Sequence, residues 1–314
     1  MGIGHRAKRE LQTAISARVF SIQFHQLELT IDTISWQAKR HREPQLRIFY
    51  ELQNRMTPET TARLIDLNAD LGEYTGTAGV AGDDALLDIV SSASIACGAH
   101  AGDAEVMQRT VEAAAARGVS IGAHPSYPDR EGFGRREMEM SPRELSAEIV
   151  SQVDALAASC AKAGTRLRYV KPHGALYNVA AREAAIARIV AEAVRRVDRT
   201  LVLLGLAGSS LVREAARAGL GVANEAFADR AYLPDGTLLS RDRAGAVLHD
   251  PVQVAARALI IARDSNVTSI DGVRLKVNAD SLCIHGDNPE ALALVAATRL
   301  TLENAGFTIA PFAK

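Results

Sequence analysis

ASIACGAHAGDAEVMQRTVEAAAARGVSIGAHPS, residues 93–126, is a short apolar run ending on His100, a polar corner, a helix-period stretch closed by Gly118, and a second apolar run ending on His124. A strand, a helix and a strand in succession place the two strands parallel, with the helix packed over one face of the sheet. The same grammar recurs from Leu64 onward, in the runs LIDLNADL, ASIACGAH, VSIGAHPS, LRYVKPHG, TLVLLGLAG, GVANEAFA and SLCIHGD. Between them lie helical stretches, several ending in the glycine that a helix C-terminus favours. Their starts are marked as well: Ser141-Pro142-Arg143-Glu144 and Asp250-Pro251-Val252-Gln253 each join a capping residue, proline at the first helical position and Glu or Gln three residues on. Asn288-Pro289 opens the last helix in a similar way.

Seven such units in about 250 residues is the size at which a parallel sheet closes into a (β/α) barrel. An open doubly wound sheet shows the same alternation, and closure is the expectation here. In LIDLNADL, Ile65, Leu67, Ala69 and Leu71 alternate with Asp66, Asn68 and Asp70. Closed into a barrel, the apolar row meets the helices and the polar row points inward.

The 314 residues carry a formal net charge of −1, which provides no basic field for nucleic acid and no acidic tail. A small molecule is the default ligand. Three cysteines with no CxxC spacing suggest neither a disulfide framework nor a structural zinc site and fit a reducing cytoplasm. No apolar stretch approaches the roughly 20 residues of a membrane span, and no secretory signal is evident. Residues 1–63 differ from the rest, with ten Lys and Arg against six Asp and Glu and no sustained period. They read as a poorly ordered extension, or as a stretch translated from an early start, ahead of a barrel domain at 64–314.

Four of the five histidines beyond that segment end an apolar run: His100, His124, His173 and His285. In parallel α/β folds the carboxyl ends of the strands form the binding face, so four strands deliver an imidazole to one rim. Asp103, Asp129, Asp229 and Asp287 accompany them, and Asp103 and Asp287 also read as helix caps. Imidazole with carboxylate suits proton transfer or a divalent metal. Lys171, before Pro172 and His173 at a strand end, is placed to stabilise negative charge on oxygen. Arginines of the two long connections, 125–139 and 229–245, suit an anionic substrate. GLAGSS, 205–210, reads equally as an anion-binding turn or a serine cap, and no phosphate-binding GxxxxGK[ST] loop occurs.

IDLNADLGE, IACGAHAGD, GAHPSYPDREGFGRR, VKPHGALYN, LAGS, EAFADRAY and CIHGDNP, in this order, resemble the LamB/YcsF family of ATP-dependent 5-oxoprolinase A subunits. The resemblance runs from about Leu64 to Pro311. It implies a (β/α)7-type barrel related to glycosidases and carbohydrate deacetylases. It also implies opening of the lactam of 5-oxo-L-proline to L-glutamate, coupled to hydrolysis of ATP, in a complex with B and C subunits. Carried over by position, the family's polar residues fall on Asp66, Asn68, Asp70, Glu73, His100, Asp103, His124, Lys171, His173, Asn178, Glu225, Asp229, Arg230, His285 and Asp287. Ser94 and Ala99 stand where the family has Asn and an aromatic residue, and YTGTAGVAG replaces a Gly-Phe stretch.

On that basis Asp66 or Asp70 is the expected general base, with His100 or His124 carrying the proton. Lys171 and His173 stabilise the oxyanion, and Arg230 or Arg241 takes the substrate carboxylate. Asn68, Glu73, Asp103, Asn178, Glu225, Asp229, His285 and Asp287 complete the expected substrate site. ATP is the co-substrate, bound with partner subunits. Two alternatives stay open: a stand-alone deacetylase with a divalent metal on Asp66, His100 and His124, or a non-catalytic substrate-binding subunit.

Overall fold

The computed structural model describes residues 63–284 and 290–313. All seven apolar runs become strands: β1 (Arg63–Leu71), β2 (Ser92–Ala96), β3 (Ser120–His124), β4 (Tyr169–Val170), β5 (Val202–Leu206), β6 (Gly221–Phe227) and, after a small hairpin, β9 (Ser281–Cys283). They pair in parallel in that order, and β9 pairs back onto β1 through Asp66↔Ser281 and Asn68↔Cys283, which closes a seven-stranded barrel. The hairpin, β7 (Asn266–Thr268) with β8 (Arg274–Lys276), is antiparallel and outside the barrel, and β10 (Phe307–Ile309) extends only the first residues of β1. Strand β1 begins at Arg63, one residue ahead of the boundary expected from sequence. The rest of the 1–63 segment lies outside the described residues.

The helices are α1 (Val80–Leu87), α2 (Ala104–Ala116), α3 (Pro142–Lys162), α4 (Gly174–Arg182), α5 (Ala184–Val197), α6 (Ser210–Arg217), α7 (Pro251–Asp264) and α8 (Ala291–Asn304). At α3 the capping box forms: Ser141 Oγ accepts from the Glu144 N–H at 3.3 Å, and the Ser141 N–H donates to Glu144 Oε2 at 3.0 Å. Asp250 caps α7 through the N–H groups of Val252 and Gln253. The last helix departs from its expected start: α8 begins at Ala291, with Glu290 before it and no side-chain cap, and Asn288-Pro289 lie outside the described residues.

Packing follows the alternation of β1. Ile65, Leu67, Ala69 and Leu71 join the main apolar core between barrel and helices, while Asp66, Asn68 and Asp70 are buried inside the barrel. Lower in the interior, Tyr169 crosses the barrel and packs with Leu204, Ala223 and the C-terminal Phe312 and Ala313. Gly122 makes this possible, since a Cβ there would stand 2.1 Å from the Tyr169 ring. The upper interior stays polar and open. Among the described residues no helix is long and apolar enough to cross a membrane.

Candidate active site

The carboxyl ends of the strands open onto a cavity of about 470 Å³. Asp70, Glu73, His124, Lys171 and His173 line it together with Arg135, Arg230 and Arg241 and the apolar Leu206, Phe227, Leu233, Leu238 and Leu239. The expected rim therefore exists. The 229–245 connection contributes much of its wall.

Lys171, at the end of β4, is 2 % exposed and reaches across the barrel. Its Nζ forms an ion pair with Asp70 Oδ1 at 2.7 Å and donates to Glu225 Oε1 at 2.9 Å, Asn68 Oδ1 at 3.0 Å and Cys283 Sγ at 3.2 Å. Burial alone would lower its pKa, but the charges of Asp70 and Glu225 outweigh that and hold the ammonium well above the usual lysine range. An ammonium has three protons, and Glu225, Asn68 and Cys283 already accept them. Lys171 thus holds Glu225 by a hydrogen bond and Asp70 by its charge, and an oxyanion would reach its protons only by displacing one of those three acceptors. Glu225 is held further by the Asn68 amide at 3.0 Å and by the Tyr177 hydroxyl at 2.7 Å. Sequence reasoning missed Tyr177, although it lies four residues after His173 and so on the same face of α4.

Three imidazoles crowd above this network. His124 Nδ1 donates to the Lys171 carbonyl at 2.7 Å, and its Nε2 lies 3.3 Å from Asp70 Oδ2 and 3.0 Å from His173 Nδ1. His173 Nε2 donates to the Phe133 carbonyl at 2.9 Å. His100 stacks on His173, ring centroids 3.8 Å apart and planes within 2°. Glu73 Oε1 lies 3.2 Å from both His100 Nε2 and His173 Nδ1. Burial would raise the Glu73 carboxyl, but its hydrogen bonds to His100 and His173 hold it well below the usual carboxylate range. Burial pushes His100 down to about 4 against the pull of Glu73, which keeps that ring neutral near pH 7. Phe133, edge-on to both stacked rings, has φ 55°, and Gly134 beside it has φ 66°. A Cβ at Gly134 would stand 2.9 Å from His100 and from His173, so the GFG corner of the 125–139 connection lies directly on the ring stack. Asp129 shapes this corner by accepting from the Gly132 N–H and the Arg136 guanidinium.

Other expected residues stand apart. Asp66 accepts hydrogen bonds from Ser91, Ser92 and Ser281 at the opposite end of the barrel. It lies four positions from Asp70, roughly 13 Å along an extended strand, so it does not meet the histidines. Asp103 is an exposed cap of α2, accepting from the Glu105 and Val106 N–H groups at 2.9 Å. Asn178 lines the cavity while its amide donates to the Gly174 carbonyl. Asp229 is fully buried behind Arg230. Arg230 Nε and Nη2 donate to the carbonyls of Ala246 and Leu239, and burial together with the like charge of Arg241 lowers its pKa to about 10. It remains cationic near neutrality, and an incoming anion would relieve that repulsion. In the GLAGSS turn, Ser209 Oγ caps α6 through the Val212 N–H, the serine-cap reading. His285 and Asp287 lie outside the described residues.

Glu73, His100 and His173 present one ligand atom each within 4.8 Å of one another, the spacing of a divalent-metal site. The ring geometry does not suit one. In-plane lone pairs of two parallel rings do not converge, and an ion about 2.1 Å from both nitrogens would sit far out of both planes. The trio Asp66, His100 and His124 is not assembled at all.

The sequence model of the LamB/YcsF family matches residues 65–314. A 5-oxoprolinase A subunit from Pseudomonas syringae pv. tomato is 51% identical over 251 residues, covering 80% of this chain and 98% of that protein. The 5-oxoprolinase A subunit from Paracidovorax citrulli is 52% identical over 249 residues, covering 79% and 99%. Among solved structures, the lactam utilization protein of Thermus thermophilus superposes with a TM-score of 0.74 at 44% identity, covering 79% of this chain and 99% of that one.

Proposed function

Because the chain belongs to the LamB/YcsF family, we propose that it opens the lactam ring of 5-oxo-L-proline to L-glutamate as the A subunit of an ATP-coupled complex. The observation that carries this reading is the lining of the cavity. It combines carboxylates and imidazoles with Arg230 and Arg241, which suit a carboxylate, and with apolar side chains that suit a small ring.

A lactam is a stable amide, so water needs an activated carbonyl. ATP supplies the activation by phosphorylating the lactam oxygen. With no GxxxxGK[ST] loop in this chain, the nucleotide binds by another route or on a partner subunit. Asp70, held by Lys171 and beside His124, is the general base toward water in preference to the remote Asp66. Glu73 orients the imidazoles, and Arg230 and Arg241 bind the substrate carboxylate. No step is routed through a metal, since the imidazole stack does not suit one.

Co-expression of the full chain with candidate B and C subunits, followed by 5-oxoproline-dependent release of ADP and glutamate with each component omitted in turn, tests the reading. Turnover that requires all components is expected. Undiminished turnover without this chain would overturn it.

A further inference from the structure

The interior row of β1 is joined to Lys171 by a chain of hydrogen bonds that runs in one direction. Lys171 Nζ only donates, and it gives one proton to Asn68 Oδ1 at 3.0 Å. The Asn68 Nδ2 group is left to donate on its other side, to Ser281 Oγ at 2.7 Å and to Glu225 Oε1 at 3.0 Å. Ser281, whose oxygen accepts from Asn68, sends its single proton to Asp66 Oδ2. Asp66 takes two more hydroxyl protons, from Ser91 and Ser92, both at 2.6 Å. The donor order is therefore Lys171, Asn68, Ser281, Asp66, from the cavity to the closed end of the barrel. Asn68, Ser281 and Asp66 are each at most 1 % exposed, so bulk water does not compete for these bonds.

We propose that Ser281 is a positioning residue: fixed by the charge of Asp66, it holds the Asn68 amide with its oxygen on Lys171, and through Lys171 it sets the place of Asp70. An amide can present either end, and the acceptors on its nitrogen side decide which. Ser281 makes the shorter of the two bonds there. Without its hydroxyl, one buried N–H of Asn68 loses its acceptor, and the amide turns toward Glu225 Oε1 to recover one. That oxygen already takes a proton from Lys171 at 2.9 Å. Competition for it moves the ammonium, and with it Asp70, which is paired to Lys171 at 2.7 Å. Barrel closure explains why the residue comes from β9: Ser281 is in register with Asp66 on β1 and with Glu225 on β6, between the two strands it serves.

Ser92 is the natural comparison. It is as fully buried as Ser281 and also donates to Asp66, but among the described residues its hydroxyl bonds to Asp66 alone. Ser91 differs from both, because its oxygen also ties to the main chain of Leu67. If the hydroxyls around Asp66 served only to solvate that carboxylate, loss of Ser92 and loss of Ser281 would read alike. The bond to Asn68 is what separates them.

This inference rests on the proposed reaction for its readout in turnover; the donor order belongs to the chain alone. The kinetic test assembles the complex with wild-type, Ser281→Ala or Ser92→Ala full chain and measures kcat and KM for 5-oxoproline. Ser281→Ala is expected to lower kcat roughly ten- to a hundredfold at unchanged KM, because the arginines proposed to bind the substrate are untouched, while Ser92→Ala stays within roughly threefold of wild type. Equal losses in the two variants would overturn the proposal. Neutron diffraction from the deuterium-exchanged wild-type chain at about pH 8, above the Asp66 pKa of about 6, keeps the test open even where a serine variant fails to fold. The Ser281 deuterium is expected on the side of Asp66, and both Asn68 amide deuteriums on the side away from Lys171. An Asn68 oxygen turned toward Ser281 would equally overturn it. A wild-type complex without lactam turnover, but with that deuterium pattern, would sink the proposed reaction and leave the donor order standing.

Discussion

Two carboxylates four residues apart on β1 meet different partners, and the difference assigns their roles. Asp66 is held by three serine hydroxyls at the closed end of the barrel, and burial raises its pKa to about 6 despite them. Because the folded-state pKa lies above the ordinary 3.8, the stability gained from protonation is full below about pH 4 and lost as the pH rises through about 6. We expect thermal unfolding scans from pH 4 to 8 to show a slope in the wild type that Asp66→Asn flattens, the difference amounting to roughly 3 kcal/mol. Equal slopes would contradict it. Asp70 stands at the cavity against Lys171 and His124, and Asp70→Asn is expected to cost about 10² to 10⁴ in turnover at unchanged fold. Lys171→Met leaves Asp70 and Glu225 buried without their cation. Denaturant titration should register a loss of about 3–5 kcal/mol, and a change smaller than about 1 kcal/mol would refute the keystone role. Alternation placed Asp66, Asn68 and Asp70 on one interior face, but a period of two carries no depth. That is why sequence alone left the base unassigned between Asp66 and Asp70.

Among elements, β1 and the strand-end histidines were legible because each obeys a local rule: alternation for the strand, position at a carboxyl end for the imidazoles. The 125–139 connection was less so. Its length marked it as functional, yet the contact of Gly134 with the His100–His173 stack joins residues far apart in the chain and leaves no local period. Gly134→Ala combines a positive φ with a Cβ 2.9 Å from the His100 Cβ and from the His173 ring. It should lower turnover at least tenfold with far-ultraviolet dichroism unchanged, and a fully active variant would show that the corner does not hold the rings. Tyr177 was missed for the same reason: its partner, Glu225, comes from a distant strand. By contrast the Ser141 capping box was readable from four residues. Ser141→Ala should cost about 1 kcal/mol of stability and leave activity alone, as urea titration and the coupled assay would register.

For the whole molecule, closure turns seven local signals into one site. Pairing of β9 with β1 brings Ser281 to Asp66 and Cys283 to the level of Asn68, and so delivers residues from both ends of the barrel sequence to one interior. The seven strand–helix units implied that closure, and the cavity at their carboxyl ends follows from the rule that parallel strands deliver their termini to one rim. The meeting of carboxylates, imidazoles and arginines in that cavity is a property of the assembled rim. In the proposed reaction Asp70 on that rim, and not Asp66 below it, is the base that opens the lactam. The deciding comparison is 5-oxoproline-dependent glutamate release by the complex assembled with wild-type, Asp70→Asn or Asp66→Asn chain at equal folded concentration. Near-abolished release with Asp70→Asn, and release within about tenfold of wild type with Asp66→Asn, is the predicted result. The reverse order would contradict it.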